Sequence, residues 1–231
     1  MNLVVFGANG PTGRLVVEKA LAAGNRVTAF TRNPDDFPLR HPDLVVAAGD
    51  VHDASQVSTA VRGQDAVLSV LGVPFGKQPV TVYSVGITNI LAAMRTHSVG
   101  RLVCVSSSAT DPSAGSHGNW FFENVLQAYV TKVLGKTLYD DMRRMEAIVT
   151  ASDVDWTIVR PSGLFDAPDV TAYETAPVFL PGAFTSRTDL ADFVVRRADA
   201  TNYSRTIAAI STSDGAPSVL QMIRREAFGK K

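Results

Sequence analysis

The chain has 231 residues, 45% hydrophobic and 19% charged, which places it among globular proteins and excludes disordered, collagen-like and coiled-coil chains. Its 22 basic residues balance 22 acidic ones without long runs of either sign, which argues against a surface for nucleic acid or an anionic membrane. No apolar run is long enough to span a bilayer, and the single cysteine, Cys104, excludes an internal disulfide. We therefore expect a soluble cytoplasmic protein whose partners include neither nucleic acid nor a membrane.

Short runs rich in β-branched residues alternate with longer segments of helical period, a pattern typical of repeated βαβ units around a parallel sheet. The central runs are almost wholly apolar, as expected for strands that helices cover on both faces. The predicted strands are Asn2–Phe6, Arg26–Phe30, Leu44–Ala47, Ala66–Leu71, Arg101–Ser106, Asp155–Arg160 and Arg205–Ile210. The predicted helices are Thr12–Ala23, Ala54–Val61, Val80–His97, Trp120–Ala151, Thr188–Asp199 and Pro217–Ala227. The fold class is therefore predicted to be α/β.

No linker rich in Pro, Gly or Ser divides the chain, so residues 1–231 are predicted to form one domain. Two segments, near residues 107–136 and 163–187, do not fit the simple alternation, and each follows the carboxyl end of a strand. Ligands of open α/β sheets bind at that edge, so these insertions are expected to form the walls of a substrate pocket. The alternative is that both are long surface loops.

A glycine-rich turn, Gly7-Ala8-Asn9-Gly10-Pro11-Thr12-Gly13, joins the first strand to the first helix with the spacing G-x-x-G-x-x-G. The usual dinucleotide fingerprint is one residue shorter in its first interval. The physics is the same, because glycine permits a tight turn, close approach of backbone N–H groups to a pyrophosphate and close packing of helix on strand. The positive end of the helix then faces the phosphates. A plain tight turn is the alternative, but the position directly after a strand favours dinucleotide binding.

The end of the second strand distinguishes between the two nicotinamide dinucleotides. NAD-binding chains tend to place a carboxylate there, about 20 residues beyond the glycine turn, to bind the ribose 2′-OH. This chain has Thr31-Arg32 instead and no carboxylate before Asp35. Arg32 offers a planar cation suited to a 2′-phosphate, and Arg14 begins the first helix nearby. We therefore predict NADP(H) as the cofactor, the alternative being that Arg32 is an ordinary solvated arginine.

Two further strand ends are expected to line the same groove. Asp50 and Val51 follow the third strand, where a carboxylate can accept a hydrogen bond from the adenine amino group. The fourth strand ends in Val70-Leu71-Gly72, where a small residue lets the cofactor lie close. Each feature is weak alone, but in register with the glycine turn they form a consistent groove across the sheet.

Together with motifs over nearly the whole chain, these residues resemble the atypical short-chain dehydrogenase/reductases, in the NAD(P)H-binding group that includes biliverdin reductase B, a flavin reductase, and the NmrA-like proteins. The further motifs are Val105-Ser106-Ser107, Tyr139–Glu146, Trp156–Pro161 and Ser186–Asp192. The resemblance implies a single doubly wound Rossmann-type domain, with NADPH at the carboxyl edge of the sheet and a substrate against the nicotinamide. It also implies cofactor contacts from Ser106 and from the backbone of Pro161, Ser162, Gly163 and Leu164.

The catalytic positions depart from the pattern of that class. Short-chain dehydrogenases commonly use Tyr-x-x-x-Lys, whereas an alignment on Glu146 puts Leu138 and Met142 at those two positions. Shifted by one residue, Tyr139-x-x-x-Arg143 keeps a phenol and a cation on one helix face, although an arginine cannot relay a proton. Tyr139 is therefore one catalytic candidate, with a packing or surface role as the alternative.

Ser107 is the second catalytic candidate. It follows the fifth strand and matches the serine that biliverdin reductase B presents beside its substrate, so its hydroxyl can bind the acceptor or the nicotinamide amide. The alternative is a serine cluster that satisfies loop backbone. A chain without a strong general acid suits acceptors that take hydride onto a planar conjugated system and find the proton in solvent, such as flavins, quinones or tetrapyrroles.

The residues and the resemblance together predict an NADPH-dependent reductase that acts on a planar, largely apolar acceptor as a monomer or homodimer. The alternative is a redox sensor of the NmrA-like type that binds NADP(H) without turnover; an isomerase or dehydratase would need the missing tyrosine and lysine. The four histidines have no metal-ligand spacing with one another or with Cys104, so no metal site is predicted. Arg143 and Arg144 lie between Asp140, Asp141 and Glu146, which predicts a salt-bridged surface rather than a paired-carboxylate site.

Overall fold

The computed structural model describes residues 1–76, 78–111, 135–199 and 202–217, whose strands form an eight-stranded sheet and a small two-stranded sheet. The strands are β1 (Asn2–Phe6), β2 (Arg26–Thr31), β3 (Leu44–Ala48), β4 (Ala66–Ser69), β5 (Arg101–Val105), β6 (Asp155–Pro161), β7 (Gly163–Phe165), β8 (Glu174–Pro177), β9 (Phe184–Ser186) and β10 (Thr206–Ser211). The helices are α1 (Pro11–Ala22), α2 (Ala54–Val61), α3 (Val82–His97), α4 (Lys136–Thr150) and α5 (Arg187–Arg196), with a 3₁₀ turn over Ser108–Thr110.

The large sheet has the strand order β3-β2-β1-β4-β5-β6-β10-β8. Its neighbouring strands are parallel, except that β8 runs antiparallel to β10. The chain fills one side of β1 with β2 and β3 and then resumes on the other side with β4, so the strand order reverses between β1 and β4. The crevice at the carboxyl ends of the strands at such a reversal is where open α/β sheets bind their ligands. The predicted α/β fold is confirmed.

Helices cover both faces of the sheet. The helices α1 and α5 pack together on one face, where Val16 and Leu190 join the inward side chains of β1. The helices α2, α3 and α4 pack on the other face, where Ile87 and Met145 join the second core. All four residues of β4 are buried, because neither face of a central strand meets water.

Several strand and helix boundaries differ from those predicted. The strands β4 and β5 end at Ser69 and Val105, which leaves Val70-Leu71 and Ser106 just beyond the strands, at the carboxyl edge of the sheet. At the end of β4 the chain packs against the glycine turn that follows β1, and soon after β5 a 3₁₀ turn begins, so both strands are shorter than their apolar sequence predicts.

The predicted helix Trp120–Ala151 is wrong as a single element. The helix α4 begins only at Lys136, and Gly135 precedes it as a non-helical cap, consistent with the poor helix propensity of glycine. Residues 112–134, which hold the first part of the predicted helix, lie outside the described residues. The same is true of the predicted helix Pro217–Ala227, of which only its first residue is described, and that residue is not helical.

Residues 163–187 contain three strands that the sequence did not predict. The strands β7 and β9 pair with each other, and β8 joins the large sheet. Asp189, at the start of α5, fastens this segment: its buried carboxylate accepts the N–H and hydroxyl of Thr171 at 2.7 and 2.9 Å and the hydroxyl of Thr212 at 2.6 Å. Burial raises the pKa of Asp189, but these hydrogen bonds outweigh that effect and hold the pKa below its usual value. The segment is therefore tied to the sheet edge.

Asp141 joins α4 to the first turn of α3. Its side chain is fully buried, and Oδ2 accepts the backbone N–H groups of Tyr83 at 2.9 Å and Ser84 at 3.2 Å. These N–H groups lie at a helix N-terminus, where they lack intrahelical partners and where a negative charge is favoured. The predicted salt-bridged surface is wrong for Asp141, which reaches one exposed partner, Arg144, but is itself inside the protein; Asp140 does lie at the surface.

We expect Asp141→Ala to lower the free energy of unfolding by about 1–3 kcal/mol, because it leaves the buried N–H of Tyr83 and the partly buried N–H of Ser84 without an acceptor. Asp140→Ala is the matched control, since it removes the neighbouring carboxylate from a partly exposed position and should cost less than about 1 kcal/mol. Urea unfolding followed by circular dichroism measures both. Equal losses for the two variants would contradict the assignment of Asp141 as the buried cap.

Candidate functional site

The glycine-rich turn lies at the carboxyl end of β1, beside the reversal of strand order. Gly7 has a φ of +81°, a conformation that favours glycine, and its carbonyl accepts the N–H of Gly10 at 3.1 Å. A Cβ on Gly7 would lie 2.5 Å from the carbonyl oxygen of Val70, and one on Gly13 would lie 2.1 Å from the Gly7 carbonyl oxygen. Both positions therefore require glycine for the turn to pack against the ends of β1 and β4.

The helix α1 begins directly behind this turn. Pro11 occupies its first turn, and Gly10, the N-cap, has no side chain to bind the first N–H groups. Within the described ranges, the N–H groups of Thr12 and Gly13 donate to no protein acceptor, and the first turn holds no acidic residue. A Cβ on Gly10 would meet only the Gly7 carbonyl, at 3.4 Å, so the space beside it is open. Free donors at the positive end of a helix suit a phosphate group.

The two arginines predicted to bind phosphate differ in their surroundings. Arg14 folds over the turn, where Nε and Nη2 donate to Oδ1 of Asn9 at 3.0 and 2.8 Å. Arg32 follows Thr31, the buried last residue of β2, and its side chain is exposed. Arg32 makes no hydrogen bond or ion pair with any residue that the structure describes. Its guanidinium is therefore available to a ligand, whereas that of Arg14 already holds Asn9.

Asp50 and Val51 lie at the same edge, after β3. The Oδ1 atom of Asp50 accepts the backbone N–H of His52 at 2.9 Å and contacts its ring Nδ1 at 2.8 Å. These hydrogen bonds, the backbone one first, hold the pKa of Asp50 below its usual value, and the charge of Arg32 adds to the effect. Val51 is buried, and its carbonyl accepts the side-chain amide of Asn89 at 2.9 Å. The structure thus brings Arg32 and the Asp50 carboxylate into electrostatic range of each other.

The ends of β4 and β5 continue the crevice. The segment Val70-Leu71-Gly72 follows β4, and the N–H of Val70 still donates a hydrogen bond to the Phe6 carbonyl in β1 at 2.9 Å. Gly72 is exposed, and a Cβ at this position would meet nothing within 4 Å. Ser106, after β5, is buried, and its Oγ makes no hydrogen bond to any described residue. Buried hydroxyls normally have partners, so this one fits a bound group that supplies a donor or acceptor.

The segment Pro161-Ser162-Gly163-Leu164 is held rigidly at the end of β6. The N–H of Ser162 donates to Oγ1 of Thr185 at 3.1 Å, and the N–H of Gly163 donates to the Ala183 carbonyl at 3.0 Å. The hydroxyl of Thr185 donates in turn to the carbonyl of Ile210 at 2.7 Å, in β10. The segment therefore has a backbone position fixed from two neighbouring strands, as a contact to a flat ring requires.

Ser107 begins the 3₁₀ turn after β5. Its Oγ accepts the N–H of Ala109 at 3.2 Å, and its carbonyl accepts the hydroxyl of Thr110 at 2.8 Å. The serine therefore caps loop backbone, while its hydroxyl proton can still be donated to a ligand. Its predicted catalytic role stays a prediction.

Tyr139 lies in α4 with 8% of its surface exposed, and its ring centroid is 6.2 Å from that of Phe75. Four residues on, Arg143 donates from Nε to the Thr110 carbonyl and from Nη1 to Asp140, both at 2.8 Å. Arg143, the cation that the sequence spacing predicts beside the phenol of Tyr139, therefore binds the 3₁₀ turn and a surface carboxylate. The predicted catalytic role of Tyr139 stays a prediction.

A buried ion pair joins α4 to β6 at this edge. Arg160 donates from Nε and Nη2 to the two carboxylate oxygens of Glu146 at 3.0 and 2.7 Å, and the hydroxyl of Thr110 donates to Glu146 at 3.1 Å. The side chains of Arg160 and Glu146 are 7% and 10% exposed, so the predicted surface pairing of Glu146 is wrong. The sequence does hold a signal for this buried pair, namely Arg160, because a charged residue inside an apolar strand needs a buried counter-charge.

Two further properties limit the chemistry of the described residues. They contain no group of three or more His, Cys, Asp and Glu arranged to hold a metal ion, and none of their helices has the length and apolar character needed to cross a membrane. Cys104 is fully buried in β5, and burial raises the pKa of its thiol far above the usual value. That thiol is therefore a core group rather than a nucleophile.

The strand order, the glycine turn and the open donors of α1 define a Rossmann-type dinucleotide-binding protein, and the orphaned Ser106 hydroxyl and the unpaired Arg32 fit the same ligand. Residues 7–201 match a family model described as NAD(P)H-binding. The chain belongs to this NAD(P)H-binding family, so its cofactor is NAD(P)H.

Curated relatives include an uncharacterised chloroplastic protein of Arabidopsis thaliana, 30% identical over 173 residues, which are 71% of this chain and 59% of that protein. A 3-beta-hydroxysteroid dehydrogenase of Mycolicibacterium neoaurum is 25% identical over 188 residues, 74% of this chain and 50% of the relative. The oxidoreductase aflX of Aspergillus parasiticus is 25% identical over 175 residues, 69% of this chain and 64% of the relative. The chain thus spans less than two thirds of the length of each.

Solved structures support the fold. A short-chain dehydrogenase/reductase from Veillonella parvula, solved in complex with NADP, matches with a TM-score of 0.75 and 18% identity over 94% of this chain and 98% of the other. A Rossmann-fold NAD(P)-binding family protein from Shigella flexneri matches with a TM-score of 0.70 and 24% identity over 93% and 94%. At these identities the likeness concerns the fold alone.

We expect Gly10→Val to weaken NADPH binding by about tenfold or more at nearly unchanged stability, because its side chain would project into the open space beside the free N–H groups that are predicted to bind the phosphates. Gly13→Ala should instead lower the unfolding temperature, since its Cβ would overlap the Gly7 carbonyl. Fluorescence titration with NADPH and thermal unfolding separate the two effects. Wild-type affinity in Gly10→Val would contradict the position of the cofactor.

Proposed function

We propose that the protein is an NADPH-dependent reductase that transfers hydride to a planar, largely apolar acceptor of the flavin, quinone or tetrapyrrole class. The proposal rests on a crevice suited to a dinucleotide that lies beside the helix α4. This helix lacks the tyrosine and lysine that serve as acid–base groups in short-chain dehydrogenases. On the alignment that starts from Glu146, Leu138 and Met142 occupy the positions in α4 where the class commonly has tyrosine and lysine, and both are buried in the core. A site of this kind positions a hydride donor but supplies little proton transfer.

The preference for NADPH over NADH rests on the end of β2. Arg32 is exposed and unpaired within the described chain, and Asp50, a carboxylate at the same edge, is engaged by His52. An arginine fork suits a 2′-phosphate, whereas an NAD-binding site needs a carboxylate that is free to accept from the ribose hydroxyls. The NADP bound by the Veillonella parvula protein agrees with this assignment.

The roles of the chain follow from these positions. The N–H groups at the start of α1 bind the diphosphate, Arg32 binds the 2′-phosphate, and the segment 161–164 orients the nicotinamide. When bound, the cofactor supplies the hydride. Ser107 donates its hydroxyl proton in a hydrogen bond to the acceptor, and the proton that completes the reduction comes from solvent, since Leu138 and Met142 cannot provide it.

We expect Arg32→Asp to shift the ratio of affinities for NADPH and NADH by about tenfold or more toward NADH, because it replaces a phosphate-binding cation with a hydroxyl acceptor. Arg26→Ala is the control, since Arg26 lies at the opposite end of the same strand with its side chain 79% exposed. Fluorescence titration of each variant with both dinucleotides provides the measurement. An unchanged ratio in Arg32→Asp would overturn the NADPH assignment.

The reductase activity itself is tested by following NADPH absorbance with FMN, a naphthoquinone and dichlorophenolindophenol as acceptors. We expect steady oxidation above the uncatalysed rate, abolished in Gly10→Val, because hydride transfer needs the bound cofactor. Tight NADPH binding without reduction of any acceptor would overturn the reductase and favour a redox sensor, which needs the same crevice but no turnover.

A further inference from the structure

The loop between β4 and α3 carries an exposed aromatic side chain that the roles above leave unused. Phe75 is 53% exposed, and its ring lies at 48° to that of Tyr139 with 6.2 Å between the centroids. Tyr139 is mostly buried and forms part of the core that α4 shares with α3. A single exposed apolar residue needs no explanation by itself. Phe75 differs from an ordinary exposed apolar residue in its position and in the contacts that hold its loop.

The loop begins at the reversal of strand order. Val70, its first residue, packs so closely on the glycine turn that a Cβ on Gly7 would lie 2.5 Å from the Val70 carbonyl oxygen. Five residues later the chain has reached α4, where Phe75 meets Tyr139. Phe75 therefore lies at the carboxyl edge of the sheet, on the path from the dinucleotide crevice to the helix of the predicted catalytic tyrosine.

The backbone around Phe75 is fastened on both sides. Before it, the side chain of Val73 packs against the core that α3 shares with α4. After it, the hydroxyl of Thr137 in α4 contacts the carbonyl of Gln78 at 3.1 Å. Described residues on both sides of Phe75 are therefore held, Val73 by the core and Gln78 by α4.

We propose that Phe75, backed by Tyr139, is the aromatic surface on which the planar acceptor lies. This inference rests on the proposed reductase function and names a residue that determines its substrate class. A conjugated ring stacked with an offset on Phe75 gains aromatic contact and loses apolar surface to water, while its other face stays open to the hydride donor. Phe75 has no proton to exchange, so it selects the acceptor and leaves the chemical step to other groups.

The test compares Phe75→Leu and Phe75→Trp with the wild type. Loss of the aromatic ring should raise the KM for a naphthoquinone and the Kd for FMN by about three- to tenfold. The kcat and the KM for NADPH should stay within about twofold, because the anchoring groups of the loop and the cofactor crevice are unchanged. Phe75→Trp should restore wild-type values. Val45→Ala, at an exposed valine of the edge strand β3, is the control for loss of surface apolar area.

Each outcome separates this inference from the reductase itself. Wild-type values for the quinone and FMN in Phe75→Leu, with turnover intact, would overturn the role of Phe75 and leave the reductase standing. A parallel rise in the KM for NADPH would also overturn it, because the ring would then serve the cofactor. A wild-type protein that binds NADPH but neither binds FMN nor reduces a quinone would overturn both proposals.

Discussion

The close approach of the glycine turn to the ends of β1 and β4 is the constraint on which the rest of the site depends. Gly7 and Gly13 lie where a side chain would have no room. Because both are glycine, the backbone can turn within a few residues, and α1 starts at the crevice. That placement aims the unpaired N–H groups of α1 at the point where the strand order reverses. The loop that bears Phe75 starts against this turn at Val70, and the pairing of β2 with β1 places Arg32 at the same edge.

Buried charges perform a second task, which is to hold α4 against the sheet. Asp141 binds the first turn of α3, and Glu146 binds Arg160 at the end of β6, so the helix is fixed at two points along its length. Such pairs are costly to bury, and breaking one leaves an uncompensated charge. These contacts tie α4 to the 3₁₀ turn that follows Ser107 and to the strand that leads into residues 161–164.

The parts of the structure that follow from periodicity were predictable from the sequence, and those that depend on long-range pairing were not. The strands β1 to β6 and the glycine turn each carry a local signal. The strands β7, β8 and β9 have only three or four residues each and exist because they pair with one another or with β10. Likewise, spacing placed Glu146 on a surface because its partner, Arg160, comes from a strand that no helical pattern can identify.

Hydrogen exchange measured with and without saturating NADPH locates the bound dinucleotide, because it reports on backbone N–H groups one segment at a time. We expect NADPH to slow exchange most strongly in the peptide that spans Gly7 to Arg14, with a smaller effect at residues 161–164 and little at the edge strand β8. Saturable NADPH binding with unchanged exchange in the Gly7–Arg14 peptide would contradict this expectation.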